Sequence, residues 1–147
     1  MVGGGSIPRG IWQTAILIVV LCAGSAAFPQ PSGQDWLDKA MALRQPSGEF
    51  QPADLASYYL SKAVERSPND ANASALLAQV YLQLQQYPDA LKAVERAIRL
   101  EPRRGSHYLL RADIYHSMGQ RKDECSDARK ACDLGEQSAC SQIKTRC

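Results

Sequence analysis

Four cysteines near the end of the chain place the tightest constraint on what it can fold into. They follow one another at intervals of seven, eight and seven residues, at Cys125, Cys132, Cys140 and Cys147. Seven residues of α-helix rise about 10.5 Å over nearly two turns, so the two members of each outer pair share one helix face. Gly135 lies between the pairs and is a residue suited to ending a helix. The pattern predicts two antiparallel helices that face each other with two thiols each.

Four cysteines allow three pairings, and the helical spacing shows which of these are geometrically possible. A bond from Cys125 to Cys132, or from Cys140 to Cys147, would bridge about 10 Å within one helix, beyond the roughly 7 Å between Cα atoms that a disulfide tolerates. In an antiparallel hairpin, facing residues have a constant sum of residue numbers, a condition that Cys132–Cys140 and Cys125–Cys147 both meet. The spacing therefore predicts these two disulfides, which are typical of an oxidising compartment.

Two other roles for the cysteines fit the spacing less well. Structural zinc usually takes close pairs such as C-x2-C, whereas each outer pair here is C-x6-C. A redox centre needs an exposed thiol of low pKa, typically in a C-x-x-C motif, and the sequence contains none. We therefore expect structural disulfides, no metal and no cofactor, with a thiol redox protein as the less favoured alternative.

Residues 1–27 have the layout of a secretory signal. Arg9 is the first charged residue, residues 15–23 are apolar throughout, and small residues follow at a suitable cleavage site. Cleavage after Ala27 would also remove Cys22, the odd fifth cysteine, and leave an even set of four. The segment therefore predicts export to the periplasm or the extracellular space.

An uncleaved membrane anchor over residues 11–28 is the alternative, because a membrane-spanning helix needs about 18 apolar residues or more. A lipid on Cys22 is a third interpretation, although bacterial lipoprotein signals want a small residue before the cysteine, and Leu21 is not small. All three interpretations export the protein, and the last two would tether it to a membrane.

A 34-residue pattern organises the rest of the chain and is clearest over residues 71–104. Small side chains recur where two helices would touch, larger ones stand between them, and a proline ends the second helix. Positions 7, 8, 11, 20, 24, 27 and 32 of this segment are Leu77, Ala78, Tyr81, Ala90, Val94, Ala97 and Pro102. The pattern resembles the tetratricopeptide repeat, a helix–turn–helix unit of that length.

The neighbouring segments carry the same pattern less completely. In residues 105–136, Glu124 occupies a position that is usually small, and no proline closes the unit. Residues 33–70 form a longer unit with an extended turn around Gly48. The resemblance implies an all-α solenoid, similar at its end to cysteine-rich exported relatives of such solenoids. Its expected parts are a flexible leader at 28–32, units at 33–70, 71–104 and 105–136, and a disulfide-stapled capping helix at 137–147.

The resemblance also implies a binding role. The first helix of each tetratricopeptide unit lines the concave face of the stack, although some of its leucines pack only between units. The inward positions imply peptide-binding residues at Leu76, Gln79, Leu82, Gln83, Leu109, Leu110, Asp113 and His116. Gln79 and Leu109 do not match the family's clamp for C-terminal carboxylates, so a cytosolic chaperone-tail adaptor is not implied.

We therefore expect a non-catalytic exported protein that binds another protein or a peptide. The alternative is a structural subunit of an envelope assembly, anchored by its N-terminal segment. A formal net charge of +2 is well short of a nucleic-acid-binding footprint, so no nucleic-acid partner is expected.

The remaining polar residues do not indicate an active site. His107 and His116 have no third ligand or nucleophile at a recognisable spacing, and we expect both to be solvated or to face the groove. Asp123 and Glu124 stand beside two basic residues and indicate an exposed helix start more than a pair of catalytic carboxylates.

Peptide mapping of the unreduced protein tests the cysteine spacing directly. We expect two cross-linked fragments, one joining Cys132 to Cys140 and the other joining Cys125 to Cys147, because only these pairs face each other in an antiparallel hairpin. Recovery of Cys125 joined to Cys132 would show that the hairpin is wrong.

Overall fold

The computed structural model describes residues 29–147, in which seven α-helices follow one another. Residues 1–28, with the expected signal or anchor, lie outside the described residues. None of the described helices is long and apolar enough to cross a membrane. The helices are α1 (Gly33–Met41), α2 (Ala53–Arg66), α3 (Ala71–Gln83), α4 (Tyr87–Leu100), α5 (Gly105–Ser117), α6 (Arg121–Asp133) and α7 (Gln137–Arg146).

Each helix packs mainly against its neighbours in sequence. The pairs α1–α2, α3–α4 and α5–α6 have the most extensive contacts, α2–α3 and α4–α5 join the pairs, and α7 packs on α6. The first helices of the second and third pairs, α3 and α5, also contact each other directly. Three helix pairs closed by a seventh helix form an α-solenoid, which confirms the fold class that the repeat pattern implies.

Alanines at the helix contacts let the backbones approach closely. Those with no exposed surface are Ala40, Ala56, Ala73, Ala78, Ala90, Ala97, Ala112, Ala131 and Ala139. Larger side chains fill the remaining space, and the biggest that are completely buried include Phe50, Leu60 and Ile114. Since interiors pack about as densely as organic crystals, a larger side chain at an alanine position would force neighbouring helices apart.

Local sequence signals set several helix ends. The Ser32 hydroxyl accepts the backbone N–H of Asp35 while the Asp35 carboxylate accepts that of Ser32, a reciprocal capping box that starts α1. The Asp70 carboxylate caps α3 by accepting the N–H of Ala73. Gly119 and Gly135 follow α5 and α6 with φ of 73° and 95°, a conformation that glycine adopts without strain.

The extended turn between α1 and α2 is held in place by the next helix pair. The side-chain amide of Gln83 accepts the backbone N–H of Phe50 at 2.9 Å and donates to its carbonyl at 2.8 Å. Phe50 itself is completely buried. The turn therefore adds Phe50 to the core, and Gln83 supplies hydrogen-bond partners for the backbone N–H and carbonyl of that buried residue.

Two disulfides hold α7 against α6. They join Cys132 to Cys140 and Cys125 to Cys147, with Cα atoms 4.8 and 5.7 Å apart, and these are the pairs that the spacing predicts. Ala139 is the only residue of α7 that is buried, so hydrophobic burial contributes little to its attachment. In the chain-entropy model, the Cys125–Cys147 bond, which joins residues 22 positions apart, stabilises the fold by about 3 kcal/mol. The disulfides thus compensate for a thin apolar interface.

A paired charge links α5 to α6. Arg111 donates from Nε to Asp127 Oδ2 at 2.6 Å and from Nη2 to Oδ1 at 2.9 Å. The Asp127 side chain is only 9% exposed and that of Arg111 is 22% exposed. A bidentate pair shielded from water in this way is stronger than a surface ion pair, and loss of one member leaves a poorly solvated charge behind.

Asp127→Ala should lower the free energy of unfolding by about 2 kcal/mol, because the Arg111 guanidinium would lose its partner in a half-buried site. Urea denaturation at neutral pH measures the loss. Asp89→Ala is the matched control, since Asp89 pairs with Lys92 in an exposed position on α4 and should cost far less. Equal losses for the two variants would contradict the role assigned to the Arg111–Asp127 pair.

Candidate functional site

A shallow groove of about 260 Å³ lies between α3 and α5. These helices are the first members of their pairs, and their direct contact brings two rows of side chains together. We call this surface the α3–α5 groove, and its lining residues are Asn72, Ala75, Leu76, Gln79, Arg104, Ser106, His107, Leu109, Leu110 and Asp113. The groove contains five of the eight residues that the resemblance implies for peptide binding.

Three leucines make the apolar part of the groove, and they are not equivalent. Leu76 is 8% exposed and belongs to the main core, and the partly buried Leu110 packs against that core. Leu109 is also partly buried but lies outside the core cluster. Leu109 is therefore the groove leucine that the core does not use, whereas Leu76 mainly stabilises the fold.

Polar side chains on both helices border these leucines. Gln79 is partly buried, and Asn72 and Ser106 are exposed. Within residues 29–147, none of the three side chains makes a hydrogen bond. Their donors and acceptors are therefore available to a ligand's backbone or side chains.

A cluster of charges ends the groove near the start of α5. Arg104 donates to Glu101 Oε2 at 3.0 Å, and the same oxygen lies 3.2 Å from His107 Nε2. His107 is only 4% exposed and lines the groove, so of the two expected settings, solvated or facing the groove, it has the second. Burial lowers the pKa of His107 and outweighs the opposing effect of Glu101, because an imidazolium is poorly solvated there.

The other end of the groove carries a second ion pair. Asp113 Oδ1 accepts a hydrogen bond from Arg146 Nη1 of α7 at 3.2 Å. Burial raises the pKa of the Asp113 carboxyl, and Arg146 only partly offsets this effect. The charges at both ends thus have partners within the protein, and the middle of the groove is apolar and amide-rich.

The remaining three residues of the implied set lie elsewhere. Leu82 packs against the core, and Gln83 binds the backbone of Phe50. His116 lines a neighbouring cavity of about 350 Å³, where its Nδ1 is 3.0 Å from Glu124 Oε1. Repeat positions specify one face of a helix but do not show which side chains of that face a neighbouring loop or helix occupies.

Glu124 is the clearest departure from the sequence-based expectation. We expected it at an exposed helix start, yet its side chain is only 6% exposed. His116 and Arg146 lie against it, with Arg146 Nη1 at 3.7 Å from Oε1, and the approach of α7 brings Arg146 there. Oε1 has no hydrogen bond in the described part of the chain, so it is stabilised there by charge and not by a well-oriented donor.

Arg104 and His107 are groove residues that the repeat positions missed. Arg104 occupies the N-cap position of α5, one residue before the unit begins, and His107 is at a position not directed inward in the family. The run of two arginines before α5 is the signal that could have indicated a basic groove end. No group of three or more histidine, cysteine or acidic side chains within residues 29–147 is arranged to hold a metal ion.

Comparison with known proteins identifies the repeat. The sequence profile described as tetratricopeptide repeat matches residues 53–121, which include α3 and α5. No curated protein matches the sequence significantly.

Solved structures share the fold at low sequence identity. The tetratricopeptide repeat domain of Arabidopsis OM64 is 19% identical, with a TM-score of 0.69 over 77% of this chain and 92% of that one. The first such domain of Spaghetti (RPAP3), bound to the HSP90 peptide SRMEEVD, is 16% identical, with a TM-score of 0.62 over 74% and 90%. A mutant of MamA is 22% identical, with a TM-score of 0.64 over 86% of each chain.

The burial of His107 predicts a loss of stability in mild acid. Its pKa is lower in the folded than in the unfolded protein, so the unfolded chain binds more protons once the pH falls below about 6.5. The free energy of unfolding should therefore decrease between pH 7.5 and pH 5.5, as measured by urea denaturation. His107→Gln should flatten this dependence, and an unchanged slope in the variant would contradict the assignment.

Proposed function

Since this chain is a tetratricopeptide repeat protein, we propose that it is an exported binding protein that holds a peptide segment of a partner in the α3–α5 groove. The protein then contributes recognition and no catalysis of its own. An exported location is supported by the two disulfides, which are typical of oxidising compartments, and by the signal-like layout of residues 1–27.

The observation that carries the proposal is the contrast between the middle of the groove and its ends. Leu109 offers apolar surface outside the main core, and Gln79, Asn72 and Ser106 have polar atoms without partners in the described residues. An apolar side chain of the ligand would lie on Leu109, while its backbone would exchange hydrogen bonds with the amides. Buried peptide groups need such partners, so the polar residues contribute orientation as well as affinity.

The chemistry of the groove argues against an anchor for a free carboxylate. Its central residues, Gln79 and Leu109, differ from the lysine and asparagine of the family's carboxylate clamp, and Arg104 is already paired with Glu101. The ligand that fits is therefore an internal peptide segment with an apolar residue. The Spaghetti (RPAP3) domain, which shares this fold, is bound to a peptide, and that observation supports peptide binding as the use of the groove.

The size of the groove supports a short contact and a modest affinity. A volume of about 260 Å³ accommodates one or two side chains, which is below the usual range for drug-sized ligands. We therefore expect single-site binding in the micromolar range, where loss of one good apolar contact is easily measured.

Selection from a random peptide library displayed on phage, followed by fluorescence anisotropy with the selected peptides, tests this function. Leu109→Ser and Gln79→Ala should each weaken binding about tenfold, because each removes a direct contact worth about 1.4 kcal/mol. Leu55→Ser is the matched control, since Leu55 is an exposed leucine of α2 outside the groove. Failure to select any peptide, or equal loss with the control, would overturn the proposed groove.

A further inference from the structure

Arg146, near the end of α7, connects three elements at one end of the α3–α5 groove. Its Nη1 atom lies 3.2 Å from Asp113 Oδ1, 3.4 Å from Gln142 Oε1 and 3.7 Å from Glu124 Oε1. These residues belong to α5, α7 and α6. Both of its side-chain hydrogen bonds within residues 29–147 use this one nitrogen, so Nε and Nη2 keep their donors. Arg146 therefore brings a positive charge with unused donors beside a groove residue.

The position of Arg146 depends on a covalent bond. It directly precedes Cys147, whose disulfide partner Cys125 directly follows Glu124. Ala139 is the one buried residue of α7 and lies near its opposite end. The Cys132–Cys140 bond also lies towards that opposite end. Without the Cys125–Cys147 bond, little apolar contact would hold the last turn of α7 against α6, and Arg146 would leave Asp113.

Building on the proposed function, we propose that Arg146 is a specificity-determining residue of the α3–α5 groove and that the Cys125–Cys147 disulfide positions it there. Arg146 pairs with Asp113, so a basic side chain of the ligand would find no free carboxylate at this end and would lie beside the guanidinium. The intact protein therefore accepts peptides with an uncharged or acidic residue at this end and rejects those with lysine or arginine.

Loss of Arg146 reverses this preference. Asp113 would then present an unpaired carboxylate beside the apolar middle of the groove, and a basic side chain of the ligand could take the place of Arg146. Discrimination of this kind operates mainly through repulsion of the wrong ligand, because like charges brought together in a partly buried site are costly.

The test is a parallel selection from a random peptide library on three proteins. Arg146→Gln removes the charge and keeps a flexible polar side chain. Arg129→Gln is the matched control, since Arg129 is exposed on α6 and forms no ion pair in the described residues. We expect peptides from the wild type and the control to be depleted of lysine and arginine at one position, and peptides from Arg146→Gln to be enriched in them there.

Direct binding measurements give the size of this preference. A selected peptide and its single lysine-substituted version are compared by fluorescence anisotropy, and the wild type should prefer the original peptide by about tenfold. Arg146→Gln should abolish or reverse this preference. If the wild type and Arg146→Gln discriminate equally, Arg146 does not determine specificity, although the peptide-binding function would stand.

A variant with Cys125→Ser and Cys147→Ser together tests the positioning role. It should lose discrimination against lysine in the same way as Arg146→Gln, while circular dichroism verifies that the helices persist. Retained discrimination in the folded double variant would show that the disulfide does not position Arg146. If no peptide is selected by the wild type itself, the proposed function fails, and the specificity assigned to Arg146 fails with it.

Discussion

Close helix contact through alanine is the constraint on which the rest of the structure depends. Completely buried alanines occur in all seven described helices, including Ala131 in α6 and Ala139 in α7. Small side chains at these points set the distances between helices, and the larger core residues fill what is left. The groove exists because this packing brings α3 and α5 into direct contact while their outer side chains stay accessible.

The C-terminal end is stabilised differently from the rest of the stack. A solenoid needs its last unit covered, and α7 covers it with one buried alanine, two disulfides and charged contacts. The charged contacts involve Asp113, Glu124 and Arg146, which would each be unfavourable if buried alone. The covalent bonds make such a polar interface tolerable, because they reduce the conformational entropy that the chain would gain if α7 detached from α6.

This arrangement links the end of the stack to the groove. Asp113 is both a groove residue and a partner of the capping helix. The cap therefore contributes to the electrostatics of the surface that we propose binds a peptide, in addition to closing the fold. At the opposite end of the groove, Arg104 is likewise paired, with Glu101. Both ends are therefore charged but paired, and the middle of the groove is left to apolar and amide contacts.

The sequence by itself determined the helices, their grouping into pairs and the disulfide partners. These depend on local periodicity and on the spacing of residues along one helix, which involve residues close in sequence.

Tertiary structure alone decided which inward side chains remain available. Gln83 is occupied by Phe50 and Asp113 by Arg146, and each contact joins residues 33 positions apart. Glu124 is buried because α7 returns over it, and Leu76 differs from Leu109 because the core reaches one and not the other. A repeat pattern specifies the face of a helix, but what covers that face comes from distant parts of the chain, so only the packed structure determines it.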